Sequence, residues 1–115
     1  MSHSTVLENR IVENKVSRNL ASAMIGFTHA AACELAPDIR INVICPGGVD
    51  TPMARRHLDS FEDKEAAIRL LTGRQLIKRY ARPEEIANVA VFLASDGASF
   101  MTGAVVPVEA GHTAW

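Results

Sequence analysis

The chain has little of what marks several functional classes. Its 115 residues include two cysteines, Cys33 and Cys45. That is too few for a disulfide framework, and their spacing does not suit a metal. Four histidines, His3, His29, His57 and His112, lie far apart, so no metal site is expected. Neither sign of charge dominates: 12 basic and 13 acidic residues give a net charge of -1. This balance argues against nucleic acid or an anionic membrane surface as a partner. The basic pairs Arg55-Arg56 and Lys78-Arg79 read as solvated faces. No apolar run approaches the length of a bilayer span, and no charged leader with an apolar core opens the chain. The expected setting is reduced and cytoplasmic, with no membrane. The chain has a single tyrosine, Tyr80, and no internal repeat or low-complexity stretch.

With 48% apolar residues, the length suits one domain with a modest core. The stretch from Ile39 to Met53 organises it. Ile39 to Cys45 is a short, β-branched apolar run ending on Pro46-Gly47-Gly48, which predicts a buried strand followed by a loop. In open α/β sheets, ligands bind outside the carboxyl ends of the strands.

The chain's other segments read as support for this stretch. Met1 to Ser4 read as a loose end. Thr5 to Glu8 fit a capping box. From there Leu7, Ile11, Val16, Leu20, Met24, Phe27, Ala31 and Leu35 recur at helical spacing, with a break possible near Ser17 to Asn19. The half from Leu20 to Leu35 is apolar on most sides, which predicts burial on more than one face. Pro37 ends it. Ala54 to Asp59 read as irregular. Ser60 to Asp63 read as a second capping box, opening a helix that runs to Leu71 and stops at Gly73. Gln75 to Arg82 form a basic connector. Pro83-Glu84-Glu85 opens the clearest helix, whose stripe is Ile86, Val89, Ala90 and Leu93. Gly103 to Val108 read as a second strand, placed at a sheet edge by Pro107.

Five segments in order carry a resemblance: Glu34-Leu35-Ala36-Pro37, Ile39 to Gly47, Arg82 to Ala87, Phe92 to Asp96, and Thr102-Gly103. Together they resemble the carboxyl half of a short-chain dehydrogenase/reductase, from about Ala23 to Thr113. The expected fold class is α/β, a partial Rossmann-like three-layer unit of two strands and three to four helices. It lacks the amino-terminal half of the sheet. Residues 1-115 are expected to form one such domain, with a diverged helical start over 1-22 and the family-like half over 23-115.

The resemblance implies NAD or NADP as cofactor, hydride exchange with a small carbonyl or alcohol substrate, and a homo-oligomer. It also implies that the loop after the strand touches the nicotinamide, through Pro46, Gly47, Gly48, Val49 and Thr51. Glycines at 47 and 48 let the backbone approach a ligand closely. Thr51 brings a hydroxyl able to bond a carboxamide or phosphate oxygen. The family's Gly-rich phosphate turn has no counterpart, because no glycine precedes Ala23. Its Tyr-x-x-x-Lys pair falls on Ser17 and Ala21, neither of which supplies the acid or the charge that proton transfer needs. No catalytic residue is therefore assigned, and Tyr80 reads as packing against the last helix. His57, Leu58 and Phe61 are candidates for a substrate wall, with surface helix as the simpler reading. The expected function is that of an NAD(P)-dependent oxidoreductase, inactive as this chain alone. The alternative is a non-catalytic remnant that works as a self-association module.

Overall fold

A computed structural model describes residues 3-114, with side chains from residue 19 onward. The elements are α1 (His3–Leu35), β1 (Val43–Pro46), α2 (Pro52–Asp59), α3 (Lys64–Leu71), α4 (Pro83–Ala94) and β2 (Val105–Val108), with a 3-10 turn at Asp96–Ala98. They fall into two units. One runs to Val43 and takes in Thr102–Ala104; the other comprises Ile44–Met101 and the residues from Val105 onward.

In the first unit, α1 runs unbroken for 33 residues. It already includes His3 and Ser4, so the Thr5 to Glu8 box does not start it. Met1, Ser2 and the side chains of that box lie outside the described residues. Thr28 and Ala32 are buried. The Thr28 hydroxyl donates back to the Met24 carbonyl at 2.8 Å, which satisfies it within the helix. Leu20, Met24 and Phe27 are 63%, 54% and 66% exposed, contrary to the expected burial on several faces. Within this unit the helix is accompanied only by the short segments 36-43 and 102-104, too small to cover such a stripe. Gly103, with φ of +70°, passes close to Ala32: a Cβ there would sit 3.5 Å from the Ala32 methyl.

The expected strand start at Ile39 is corrected to Val43. The residues before it are tied by one backbone bond, Gly103 N–H to the Ile41 carbonyl at 2.6 Å, and by side chains. Ile41 N–H donates to Thr102 Oγ1 at 3.1 Å, and Ala104 N–H donates to Asn42 Oδ1 at 3.0 Å. The ladder proper begins where Val43 N–H meets the Ala104 carbonyl, and it closes where Gly47 N–H meets that of Val108. Both partners advance by four residues, so the strands run parallel. Among the described residues the sheet has two strands, so each lies at an edge there, the position that suits Pro107 in β2. Val43 to Cys45 are half-buried, not fully buried, since a two-stranded sheet has no neighbour on β1's other side.

In the second unit, the segment expected to be irregular is helix α2. Thr51 caps it, its Oγ1 accepting from Ala54 N–H at 3.1 Å, and Pro52 takes a first-turn position. The next helix begins at Lys64, not Ser60. Asp63 is its cap, accepting from Ala66 N–H at 3.0 Å, while Ser60 closes α2 through the His57 carbonyl. Helix α4 starts at Pro83 as its first-turn chemistry predicts. Ile86 and Val89 are half-buried and Leu93 is buried, whereas Ala90 is exposed. Leu58, Ala67, Leu93 and Ala98 make up the buried apolar set, joined by the polar side chains of Thr72 and Gln75.

Candidate functional site

Pro46 ends β1, and Gly47 to Thr51 leave from its carboxyl end. The loop is stitched on one edge. Ala81 N–H donates to the Gly48 carbonyl at 2.8 Å, and Asp50 N–H donates to the Ala81 carbonyl at 2.8 Å. These two bonds make Val49 and Ala81 an isolated parallel bridge. In this pattern the amide and carbonyl of Val49 point away from Ala81. Neither makes a hydrogen bond among the described residues. An adjacent N–H and C=O left facing outward matches the acceptor and donor of a carboxamide. Thr51 Oγ1 uses one lone pair on Ala54 N–H, and its own proton stays available to donate. Asp50 and Arg55 form a two-bond ion pair at 2.7 and 3.0 Å. Hydrogen bonding from Arg55 holds the Asp50 carboxyl below its ordinary range.

The connector behind the loop is densely bonded. Gly48 faces the Tyr80 ring: a Cβ on Gly48 would lie 3.0 Å from Tyr80 Cδ1 and Cε1. No larger residue fits there unless the ring moves. Gln75 is 4% exposed, and its Nε2 donates to the carbonyls of Ile77 at 3.0 Å and Arg79 at 2.9 Å. Arg79 pairs with Glu85 through two bonds of 2.8 Å and donates to the Tyr80 carbonyl at 3.0 Å. Glu85 also accepts from Arg82 N–H at 2.8 Å. Donation by Arg79, and then by the Arg82 amide, lowers the Glu85 pKa from 4.5 to about 2. Past β2, Ala110 and Gly111 both have positive φ, 55° and 76°, and they turn the tail onto the connector. The Ala110 carbonyl there accepts from Leu76 and Ile77. A recess of about 150 Å³ lies on this side, lined by Gly47, Gly48, Gln75, Arg79, Ala81 and Glu85 among others.

The structure places Gly47, Gly48, Val49 and Thr51 in the loop that leaves β1, while Pro46, expected in that loop, is the last residue of the strand. Ala21 is exposed on α1, one turn from Ser17; the Ser17 side chain lies outside the described residues. Tyr80 packs on Gly48, and burial pushes its phenol pKa up. That is the opposite of what a proton-exchanging tyrosine needs. His57 and Phe61 meet edge to face at 5.3 Å, and Leu58 is buried; none of the three lines the recess. No metal-binding group of side chains occurs among the described residues, and no described helix is long and apolar enough to cross a membrane. Sequence reasoning missed Gln75, the Ala81 bridge and the Arg79–Glu85 clamp. Only the last left a signal, an arginine and a carboxylate flanking the Pro83 helix start.

Residues 4–113 match the family model described as Enoyl-(Acyl carrier protein) reductase. The chain is 35% identical over 106 residues to Dehydrogenase/reductase SDR family member 6 of Rattus norvegicus, covering 91% of this chain and 42% of that protein. A short chain dehydrogenase family protein from Francisella tularensis superposes with a TM-score of 0.76 at 34% identity, over 82% of this chain and 41% of the other. A 4-hydroxyisoleucine dehydrogenase complexed with NADH gives a TM-score of 0.73 at 28% identity, over 82% and 37%. The chain spans about two fifths of the length of these relatives, as a partial α/β Rossmann-like unit. With that family model matching nearly the whole chain, the chain belongs to the short-chain dehydrogenase/reductase family.

Proposed function

We propose that this chain is the nicotinamide-facing part of an NAD(P)-dependent oxidoreductase acting on a small carbonyl or alcohol, and that alone it does not turn over. The carrying observation is the outward amide and carbonyl of Val49 beside the Thr51 hydroxyl. Val49 holds the carboxamide through its two backbone groups, Thr51 donates to an oxygen of the cofactor, and Gly47 and Gly48 keep the approach clear. When bound, the nicotinamide supplies or accepts the hydride exchanged with the substrate carbon. Ser17 and Ala21 offer no proton donor of suitable acidity and no cation, which is why the chain alone is expected to be inactive.

The test uses nicotinamide mononucleotide, which needs no phosphate cradle from a Gly-rich turn. Amide resonances of Val49 to Thr51 should shift on titration. Thr51→Ser should keep the response and Thr51→Val should lose most of it. The valine also removes the α2 cap, at about 1 kcal/mol, so its folding is checked by circular dichroism. Shifts confined to other regions would sink the reading. Turnover of ketones with NADH or NADPH, surviving repurification, would sink the inactivity.

A second reading has its own observation. Leu20, Met24 and Phe27 recur along α1 and are all more than half exposed. An apolar stripe of that kind is the surface of a self-association module, with a second copy as its cover.

A further inference from the structure

We propose that Gln75 is a positioning residue for the Gly47 to Thr51 loop, a role that rests on reading this loop as the nicotinamide contact. Gln75 is the chain's single glutamine, and the residue is 4% exposed. Both protons of its amide nitrogen are engaged, one on the Ile77 carbonyl at 3.0 Å and one on the Arg79 carbonyl at 2.9 Å. Two carbonyls two residues apart are thereby drawn to one nitrogen, which closes the connector into a tight loop. Its Oε1 lies 3.7 Å from where a Cβ of Gly48 would be.

With the Arg79 carbonyl fixed, the next two residues have little freedom. Tyr80 lays its ring against Gly48, and Ala81 bonds the Gly48 carbonyl and the Asp50 amide. The Arg79 guanidinium holds the connector's other side through the Tyr80 carbonyl and Glu85. The outward direction of Val49 is thus set through the chain Gln75, Arg79, Tyr80, Ala81. An apolar side chain of equal length fills the same space but leaves the Arg79 carbonyl without a donor, while the Ile77 carbonyl keeps only the Arg79 N–H. The amide is therefore needed for the loop's shape more than for the volume it occupies.

Amide hydrogen exchange on the 115-residue chain tests this without any cofactor. In Gln75→Met, the Ala81 and Asp50 amides should exchange roughly tenfold faster. The Gly47 amide on Val108 and the amides of α4 should stay within about twofold. A companion measurement needs no variant: the two side-chain amide protons of Gln75 should exchange far more slowly than those of the exposed Asn88. Unchanged Ala81 and Asp50, or a uniform acceleration across the unit, overturns the proposal. So do Gln75 protons exchanging as fast as those of Asn88, which decides the matter even if the variant does not fold. Nicotinamide mononucleotide plays no part here, so failure of the cofactor reading leaves a different signature: loop amides that respond to Gln75→Met but not to the mononucleotide.

Discussion

Gly111 has φ of +76°, and a Cβ there would lie 2.6 Å from Leu76 Cδ1. Both facts oppose any larger residue, one through backbone strain and one through overlap. Gly111→Ala is expected to lower the unfolding free energy by roughly 1–3 kcal/mol in urea titrations. Gly26 is the contrast. It sits inside α1 with nothing within 4 Å of its would-be Cβ, so alanine there carries only the helix-propensity benefit. Gly26→Ala should stabilise by about 0.5–1 kcal/mol in the same assay. If both variants move stability in one direction, the distinction between a required and an incidental glycine fails.

At the level of elements, the start of α4 is where charge and helix capping coincide. Glu85 closes the first turn through the Arg82 amide and pins the connector through Arg79. Its pKa is lowered from 4.5 to about 2. A carboxyl depressed by folding adds stability that is complete above its ordinary value and lost as pH falls through the folded one. The stability advantage of wild type over Glu85→Gln should therefore be constant above pH 4.5 and shrink between pH 4.5 and 2. Denaturation midpoints across that range check it, and parallel curves down to pH 2 would contradict it. Elements were legible in the sequence where local chemistry decides them, as at Pro83-Glu84-Glu85 and at the Gly47-Gly48 turn. α2 was missed although Thr51-Pro52 is a cap followed by a helix-starting proline, because the loop reading claimed those residues first. Ser60 and Asp63 both suit a cap, and only the bond to Ala66 decides between them. Ile39 to Asn42 look like strand by composition, yet Ile41 and Asn42 bond to Thr102, Gly103 and Ala104, some sixty residues away, through a mix of side-chain and backbone groups that no local pattern encodes. The Ala81 bridge to Gly48 and Asp50 was likewise hidden, because it joins residues some thirty positions apart.

For the whole chain, the telling quantity is uncovered apolar surface. Besides the α1 stripe, Val91 is 69% exposed, Phe92 is 48% exposed and Phe100 is fully exposed. Surfaces of this kind favour association over a dispersed monomer. Light scattering is expected to give a mass of at least a dimer. The double substitution Leu20→Gln and Phe27→Gln should shift it toward monomer while leaving the helical circular dichroism intact. A well-folded wild-type monomer at every concentration would remove the self-association reading and leave the nicotinamide reading standing.

The reversal at Ala110 and Gly111 ties the residues after β2 to the connector at Leu76 and Ile77. A premature stop after Glu109 would spare every residue of β2, yet it would delete the carbonyl that Leu76 and Ile77 share. Their connector is the one that backs Gly48, so loss of the residues after Glu109 should loosen the Gly47 to Thr51 loop.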